Sequence, residues 1–166
     1  MSASPAPDAA PKRTIRRYWE DFAVGSVHES GAMPVTREAT LAFAREFDPQ
    51  PFHLDDEAAA ASLFGRLAAS GWHTGAMAMR MMCDGYLLES ASLGSPGIDQ
   101  LRWLKPVFPG DTLSLRMTVL AARPMASRPG VGLVQSRWEV FNQQRETVLT
   151  MEGWNMYRMR GSAAPA

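Results

Sequence analysis

The chain has 166 residues, the usual size of one globular domain, and its 46% hydrophobic content excludes a wholly disordered protein. Lysine plus arginine and aspartate plus glutamate both number 17, so a net charge of +0 gives no basic surface for nucleic acid. No apolar run approaches the roughly 20 residues of a membrane helix, and the single cysteine, Cys83, cannot form an internal disulfide. We expect a cytoplasmic protein with neither nucleic-acid nor membrane partners.

The two ends of the chain have the composition of solvated tails. The first residues are rich in alanine, proline and serine, and a basic patch follows them without the apolar run of a secretory signal. We therefore predict a disordered N-terminal tail over residues 1–17, a single domain over 18–160 and a disordered C-terminal tail over 161–166.

The first half of the domain predicts one strand and two helices. Residues 27–35 favour a strand, and Pro34 places it at an edge or an end. Thr36 can cap a helix over 36–47, whose apolar residues recur at helical spacing. The two prolines that follow Asp48 end that helix, and Asp55 can cap a short helix that runs to about residue 62.

The second half predicts a long helix and then a run of strands. Residues 71–88 are apolar around most of the helix circumference, so this helix is expected to be buried, with its methionines packed in the core. Residues 94–97 are expected to form a loop. Alternating apolar residues predict strands over 98–105, 112–121, 132–141 and 147–157. The fold class is α+β, with an antiparallel β-sheet wrapped around a long central α-helix.

The most informative segment is Asp48-Pro49-Gln50-Pro51-Phe52-His53. Its two prolines prevent a continuous helix, so a stiff loop presents an acid and an imidazole to a common point. Such a pair can bind a water molecule, remove its proton and return a proton elsewhere. From residue chemistry alone, a turn-forming Asp48 and a His53 that merely precedes a helix remain open as structural alternatives.

This segment resembles the Asp-x-Asn-Pro-Leu-His motif of the MaoC-like dehydratases, which include the (R)-specific enoyl-CoA hydratases of the hot-dog fold. Gln50 stands where that family usually has asparagine, and Phe52 replaces an aliphatic residue. Residues 103–111 also resemble the family's strand and Pro-Val-x-x-Gly-Asp turn. The resemblance spans about residues 18–158.

The resemblance implies a hydro-lyase of fatty acid metabolism. Asp48 and His53 would hold the water that adds to a trans-2-enoyl-CoA, or that leaves a 3-hydroxyacyl-CoA. The N–H of Gly71 would donate a hydrogen bond to the thioester oxygen, with Ser70 and Gln50 as further substrate-binding residues. No cofactor is implied because CoA is part of the substrate, and the expected assembly is a homodimer or a dimer of dimers.

A serine that is typical of the family is missing at the expected position, so other functions remain as alternatives. Many members carry a serine near the catalytic pair, and counting forward from His53 places that position at about Met79. The residues that could replace this polar contact are Ser70, His73 and Thr74. The loss suggests a non-catalytic acyl-CoA-binding subunit as an alternative. A hot-dog thioesterase that uses Asp48 or Glu57 to activate water is another.

Metal chemistry and other common enzyme classes lack their motifs. No two residues among the histidines and Cys83 have metal-ligand spacing on one helix, so no metal site is expected. The sequence also contains no G-x-S-x-G, P-loop or G-x-G-x-x-G pattern, which argues against the corresponding serine hydrolases and nucleotide-binding proteins.

Overall fold

The structure is a computed structural model that describes residues 14–162. Its helices and strands follow in the order β1 (Val27–Pro34), α1 (Arg37–Phe47), α2 (Asp56–Ala60), α3 (Gly71–Gly85), β2 (Ser92–Trp103), β3 (Thr112–Pro124), β4 (Val131–Phe141) and β5 (Thr147–Arg158). Single 3-10 turns lie at Trp19–Asp21, Pro51–His53 and Leu87–Glu89.

The five strands form one antiparallel sheet in the order β1-β3-β4-β5-β2. Strands β1 and β2 are therefore its edges. Pro34 ends the edge strand β1, opposite Thr112 of β3, where the missing proline N–H costs no interior ladder bond. The predicted edge or end position of this proline is confirmed.

Helix α3 packs against the sheet and forms the core with it. The core-facing residues of β3 alternate along the strand as Leu113, Leu115, Met117 and Val119. The apolar residues that α3 buries against them are Met77, Ala78, Met81 and Met82. The structure is thus the α+β hot-dog fold that the resemblance predicts, with Met77, Met81 and Met82 of the helix in the core.

Helix α3 is nevertheless buried on one side only, and the prediction of burial around most of its circumference is wrong. Trp72 and Met79 keep 61% and 50% of their surface exposed. The helix also ends at Gly85 and not at residue 88, because Tyr86 has an extended φ of −157°. A 3-10 turn over Leu87–Glu89 follows.

Two further predictions need correction in the strands. Residues 94–97, expected to form a loop, lie within β2, where the pairing with β5 is irregular and Gly94 has a φ of +97°. An edge strand tolerates such bulges because only one of its sides is paired. Strand β3 also runs three residues beyond its expected end at Ala121.

The described residues extend a few positions beyond the predicted domain limits of 18 and 160, and these positions contact the rest of the fold. The backbone N–H groups of Arg16 and Arg17 both donate to the carbonyl of Glu89. At the other end, the hydroxyl of Ser162 donates to the carbonyl of Gly130 at 3.1 Å. The remaining parts of the two predicted tails, 1–13 and 163–166, lie outside the described residues. Within residues 14–162, no helix has the length and apolar character needed to cross a bilayer.

Candidate active site

The Asp48–His53 segment is held by local backbone hydrogen bonds. Thr36 caps α1 by accepting the N–H of Ala39, and the N–H of Asp48 still donates to Ala44 at the end of that helix. The prolines then stop the helix, and the N–H of His53 donates to the carbonyl of Gln50 at 2.9 Å. This turn brings the side chains of Asp48 and His53 to the same side of the loop.

The two side chains approach each other as the sequence predicts. Nε2 of His53 lies 3.5 Å from Oδ2 of Asp48, which is longer than a good direct hydrogen bond and leaves room for one water to contact both atoms. The side chains are 6% and 15% exposed, respectively. The arrangement is a sheltered acid–imidazole pair with access to solvent.

The carbonyl of Ala68 determines which nitrogen of His53 is basic. Nδ1 lies 2.8 Å from this oxygen, and a carbonyl can only accept, so Nδ1 carries the hydrogen. In the neutral ring the free lone pair is then on Nε2, the nitrogen that faces Asp48. His53 is therefore held in the tautomer that can take a proton from a water bound at the pair.

Asp48 is held as a carboxylate by two neighbouring donors. Ser70 Oγ donates to Oδ2 at 2.6 Å and Gln50 Nε2 donates to Oδ1 at 2.7 Å. Partial burial raises the pKa of Asp48, but the two hydrogen bonds and the charge of His53 outweigh burial and bring this pKa below its ordinary value. Asp48 is consequently ionised at neutral pH.

Ser70 positions Asp48 and is not among the residues that line the cavity, and its expected role as a substrate-binding residue stays a prediction. It is fully buried at the start of α3, where its oxygen also accepts the N–H of Trp72 at 3.2 Å. Ser70 makes a polar contact with Asp48 and is one of the residues that could replace the contact expected at Met79. Met79 itself is half-exposed and does not line the cavity. Gln50 does line the cavity.

The start of α3 offers a free donor beside the pair. The N–H of Gly71 has no hydrogen-bond partner among residues 14–162, since no helical carbonyl precedes it. Gly71 lines the same cavity as Asp48 and His53. This N–H and the positive end of the helix dipole can stabilise negative charge on an oxygen.

The cavity has a volume of about 450 Å³ and largely apolar walls. Its polar wall is formed by Asp48, Gln50, His53, Gly71 and Thr74, and its aromatic wall by Phe52, Phe64, Trp72 and Trp103. An apolar cleft with a few convergent polar groups is typical of a small-molecule site.

Sequence reasoning missed three of the residues that shape this site. The Ala68 carbonyl orients His53, Phe64 lies 5.8 Å from the His53 ring, and Trp103 packs against Gly71. Only Trp103 had a usable signal, because it begins the segment that resembles the family's turn. The other two depend on contacts that no local pattern encodes.

The other two histidines do not line the cavity. His73 is buried and stacks on Phe43 with ring centroids 4.9 Å apart, and burial lowers its pKa. His28 lies beside Arg17. Across residues 14–162, no three His, Cys, Asp or Glu side chains are grouped so that they could hold a metal ion.

Comparison with known proteins identifies the family. The family model of the MaoC like domain matches residues 22–137. A MaoC-like dehydratase from Rhodospirillum rubrum is 44% identical, has a TM-score of 0.81 and is matched over 87% of this chain and 99% of its own. The chain therefore belongs to the MaoC-like dehydratase family.

Two hydratases are also similar to this chain. A mesaconyl-CoA hydratase from Cereibacter sphaeroides is 47% identical over 70 residues, which are 42% of this chain but only 20% of that protein. The R-hydratase PhaJ1 from Pseudomonas aeruginosa shares the fold, with 22% identity, a TM-score of 0.72 and coverage of 93% and 98% of the two chains. The family match supports an enzyme of the lyase type, whereas the likeness to PhaJ1 shows the fold alone.

Proposed function

We propose that this domain adds water to a trans-2-enoyl-CoA thioester, or removes water from a 3-hydroxyacyl-CoA. The observation that carries the proposal is the 3.5 Å approach of Asp48 and His53 at the wall of a cavity that also contains the free N–H of Gly71. CoA is the carrier part of the substrate, and the proposed reaction requires no metal or redox cofactor.

In the hydration direction, a water between Asp48 and His53 is the nucleophile. Its O–H bond breaks as the proton passes to Nε2 of His53, and its oxygen bonds to C3 of the substrate. The C2=C3 π electrons move onto the thioester oxygen, giving an enolate. The imidazolium then returns its proton to C2, so that one water is added and both side chains regain their initial states.

Asp48 and Gly71 stabilise the charges that appear along this path. Because the pKa of Asp48 is lowered, Asp48 stays a carboxylate and can stabilise the imidazolium of His53. The enolate oxygen accepts the N–H of Gly71 at the positive end of α3. The reverse sequence removes water from a 3-hydroxyacyl-CoA.

A panel of enoyl-CoA esters of graded chain length, with mesaconyl-CoA included, tests this proposal. Loss of the conjugated enoyl absorbance without release of free thiol is expected, since hydration leaves the thioester intact. Release of thiol would contradict the proposal and favour the thioesterase. Binding of a saturated acyl-CoA with neither signal would favour a non-catalytic acyl-CoA-binding subunit.

We also propose that the domain works as a homodimer or a dimer of dimers. Strand β2 is an edge of the sheet, and its large apolar residues Ile98 and Trp103 are 49% and 47% exposed. An unpaired apolar edge is a surface that another strand can cover. Light scattering coupled to size-exclusion chromatography should give twice or four times the chain mass, and a monomer at micromolar concentration would contradict this proposal.

A further inference from the structure

The indole ring of Trp103 lies against the α-carbon of Gly71. A Cβ atom built on Gly71 would be 2.6 Å from both Nε1 and Cε2 of that ring. No real Cβ contact is this short, so the ring occupies the space that any other residue would need for its side chain. Gly71 is therefore required for the approach of Trp103.

This contact places two N–H donors at one end of α3. Within a residue, N and Cβ are about 2.5 Å apart, so the indole nitrogen lies within about 5 Å of the Gly71 nitrogen. Two donors that each reach one oxygen at about 2.9 Å stand at most about 6 Å apart. Cβ positions and the first free N–H groups of a helix both point toward its N-terminus. The separation of the two nitrogens is therefore short enough for one acceptor to contact both.

The indole N–H also has no partner of its own. Among residues 14–162, Trp19 and Trp138 donate their indole N–H groups to Leu133 and Tyr86, whereas the indole N–H groups of Trp72, Trp103 and Trp154 donate to no protein atom. Of these three, Trp72 and Trp103 line the cavity. An edge-to-face contact with Trp72, at 5.1 Å between ring centroids, supports the ring of Trp103. Trp103 lines the cavity with Asp48 and His53.

We propose that the indole N–H of Trp103 is a second hydrogen-bond donor to the thioester oxygen, beside the N–H of Gly71. This inference rests on the proposed hydration of an enoyl thioester. The negative charge that forms on this oxygen as water adds is then shared by two donors. Because the interaction strengthens as charge develops, Trp103 acts mainly on kcat and little on KM.

The Trp103→Phe variant removes the N–H and keeps an aromatic ring at the cavity wall. A donor of this kind in a closed site contributes about 10²–10³ in kcat, and because Trp103 is half-exposed we expect a loss of about 10- to 100-fold. Trp154→Phe is the matched control, since Trp154 lies on β5 under Arg123 and outside the cavity. It should keep wild-type kcat.

An infrared measurement distinguishes a hydrogen-bond donor at Trp103 from a residue that only packs against the substrate. Butyryl-CoA labelled with ¹³C at the thioester carbonyl cannot be hydrated, and its carbonyl stretch should move to lower frequency on binding to the wild type. The shift should be smaller in Trp103→Phe. If that variant fails to fold, benzothienylalanine at position 103 replaces N–H by sulfur with nearly the same ring shape and is expected to give the same result.

The outcomes distinguish this inference from the proposed function. A wild type that hydrates no enoyl-CoA contradicts the proposed function, while the infrared shift still tests the donor. A wild type that hydrates, together with a Trp103→Phe variant that has kcat within about twofold and an unchanged carbonyl shift, overturns the role of Trp103 and leaves the function intact.

Discussion

The hydroxyl of Ser70 donates a 2.6 Å hydrogen bond to Oδ2 of Asp48 and so joins the start of α3 to the end of α1. The same oxygen accepts the N–H of Trp72. Ser70 thus fixes the first turn of α3 and the orientation of the carboxylate together. Charge-assisted bonds of this length are among the stronger ones in proteins.

Replacing Ser70 with alanine should raise the pKa of Asp48. The hydrogen bond from Ser70 lowers this pKa, so its loss protonates the carboxylate at a higher pH than in the wild type. The measurement is an NMR titration of the ¹³C-labelled Asp48 carboxyl, which reports this group alone. Gln50→Ala, which removes the more exposed donor, should give a smaller shift in the same direction. A carboxyl pKa that stays in place or falls in Ser70→Ala would contradict this account.

Two glycines of the same helix should respond in opposite ways to alanine. At Gly71 the new methyl group must displace the ring of Trp103, so Gly71→Ala should lower kcat at least about tenfold. At Gly75 nothing lies within 4 Å of the new Cβ. Gly75→Ala should therefore stabilise the fold by about 0.5–1 kcal/mol, because alanine favours helix more than glycine.

Enzyme assays and urea unfolding of both variants check this pair. Unchanged kcat in Gly71→Ala would show that the cavity wall at Gly71 is not used in catalysis. A destabilised Gly75→Ala would show that the space beside α3 is not open as described.

The free energy of unfolding should fall as the pH is lowered from about 7 to 5. Burial lowers the pKa of His73, and burial together with Arg17 lowers that of His28. The unfolded chain thus binds protons near pH 6.5, where the folded chain does not, and the unfolded state gains stability as the pH falls. Urea unfolding at pH 7, 6 and 5 measures this change.

The variants His73→Gln and His28→Gln should each make that decline shallower, because each removes one group that the folded protein keeps neutral. A free energy that stays constant from pH 7 to 5 would be inconsistent with the burial of these rings. So would a decline that neither variant changes.

The parts of the site that the sequence predicted are those encoded locally. The cap at Thr36, the end of α1 before Pro49 and the approach of Asp48 to His53 all depend on residues a few positions apart. Prolines and capping side chains act on their immediate backbone, so their effects can be read from the sequence. The antiparallel character of the sheet was predicted in the same way from alternating residues and short connections, whereas the pairing of β2 with β5 was not.

The parts that could not be predicted depend on contacts between distant segments. Ser70 lies 22 residues from its partner Asp48, and the carbonyl of Ala68 lies 15 residues from His53. The sequence also did not indicate that the face of α3 carrying Met79 is exposed. The apolar residues of this helix are compatible with burial on every side. Tertiary packing decides these relationships, and no local pattern distinguishes them.

Turnover of a trans-2-enoyl-CoA by the wild type, Asp48→Asn and His53→Asn is the most direct test of the shared water molecule. The wild type should remove the enoyl absorbance. Each variant should be slower by at least about 10²-fold, as expected when an acid or base is lost, while its thermal unfolding midpoint stays close to that of the wild type. Folded variants that both retain wild-type turnover would contradict the catalytic pairing of Asp48 with His53.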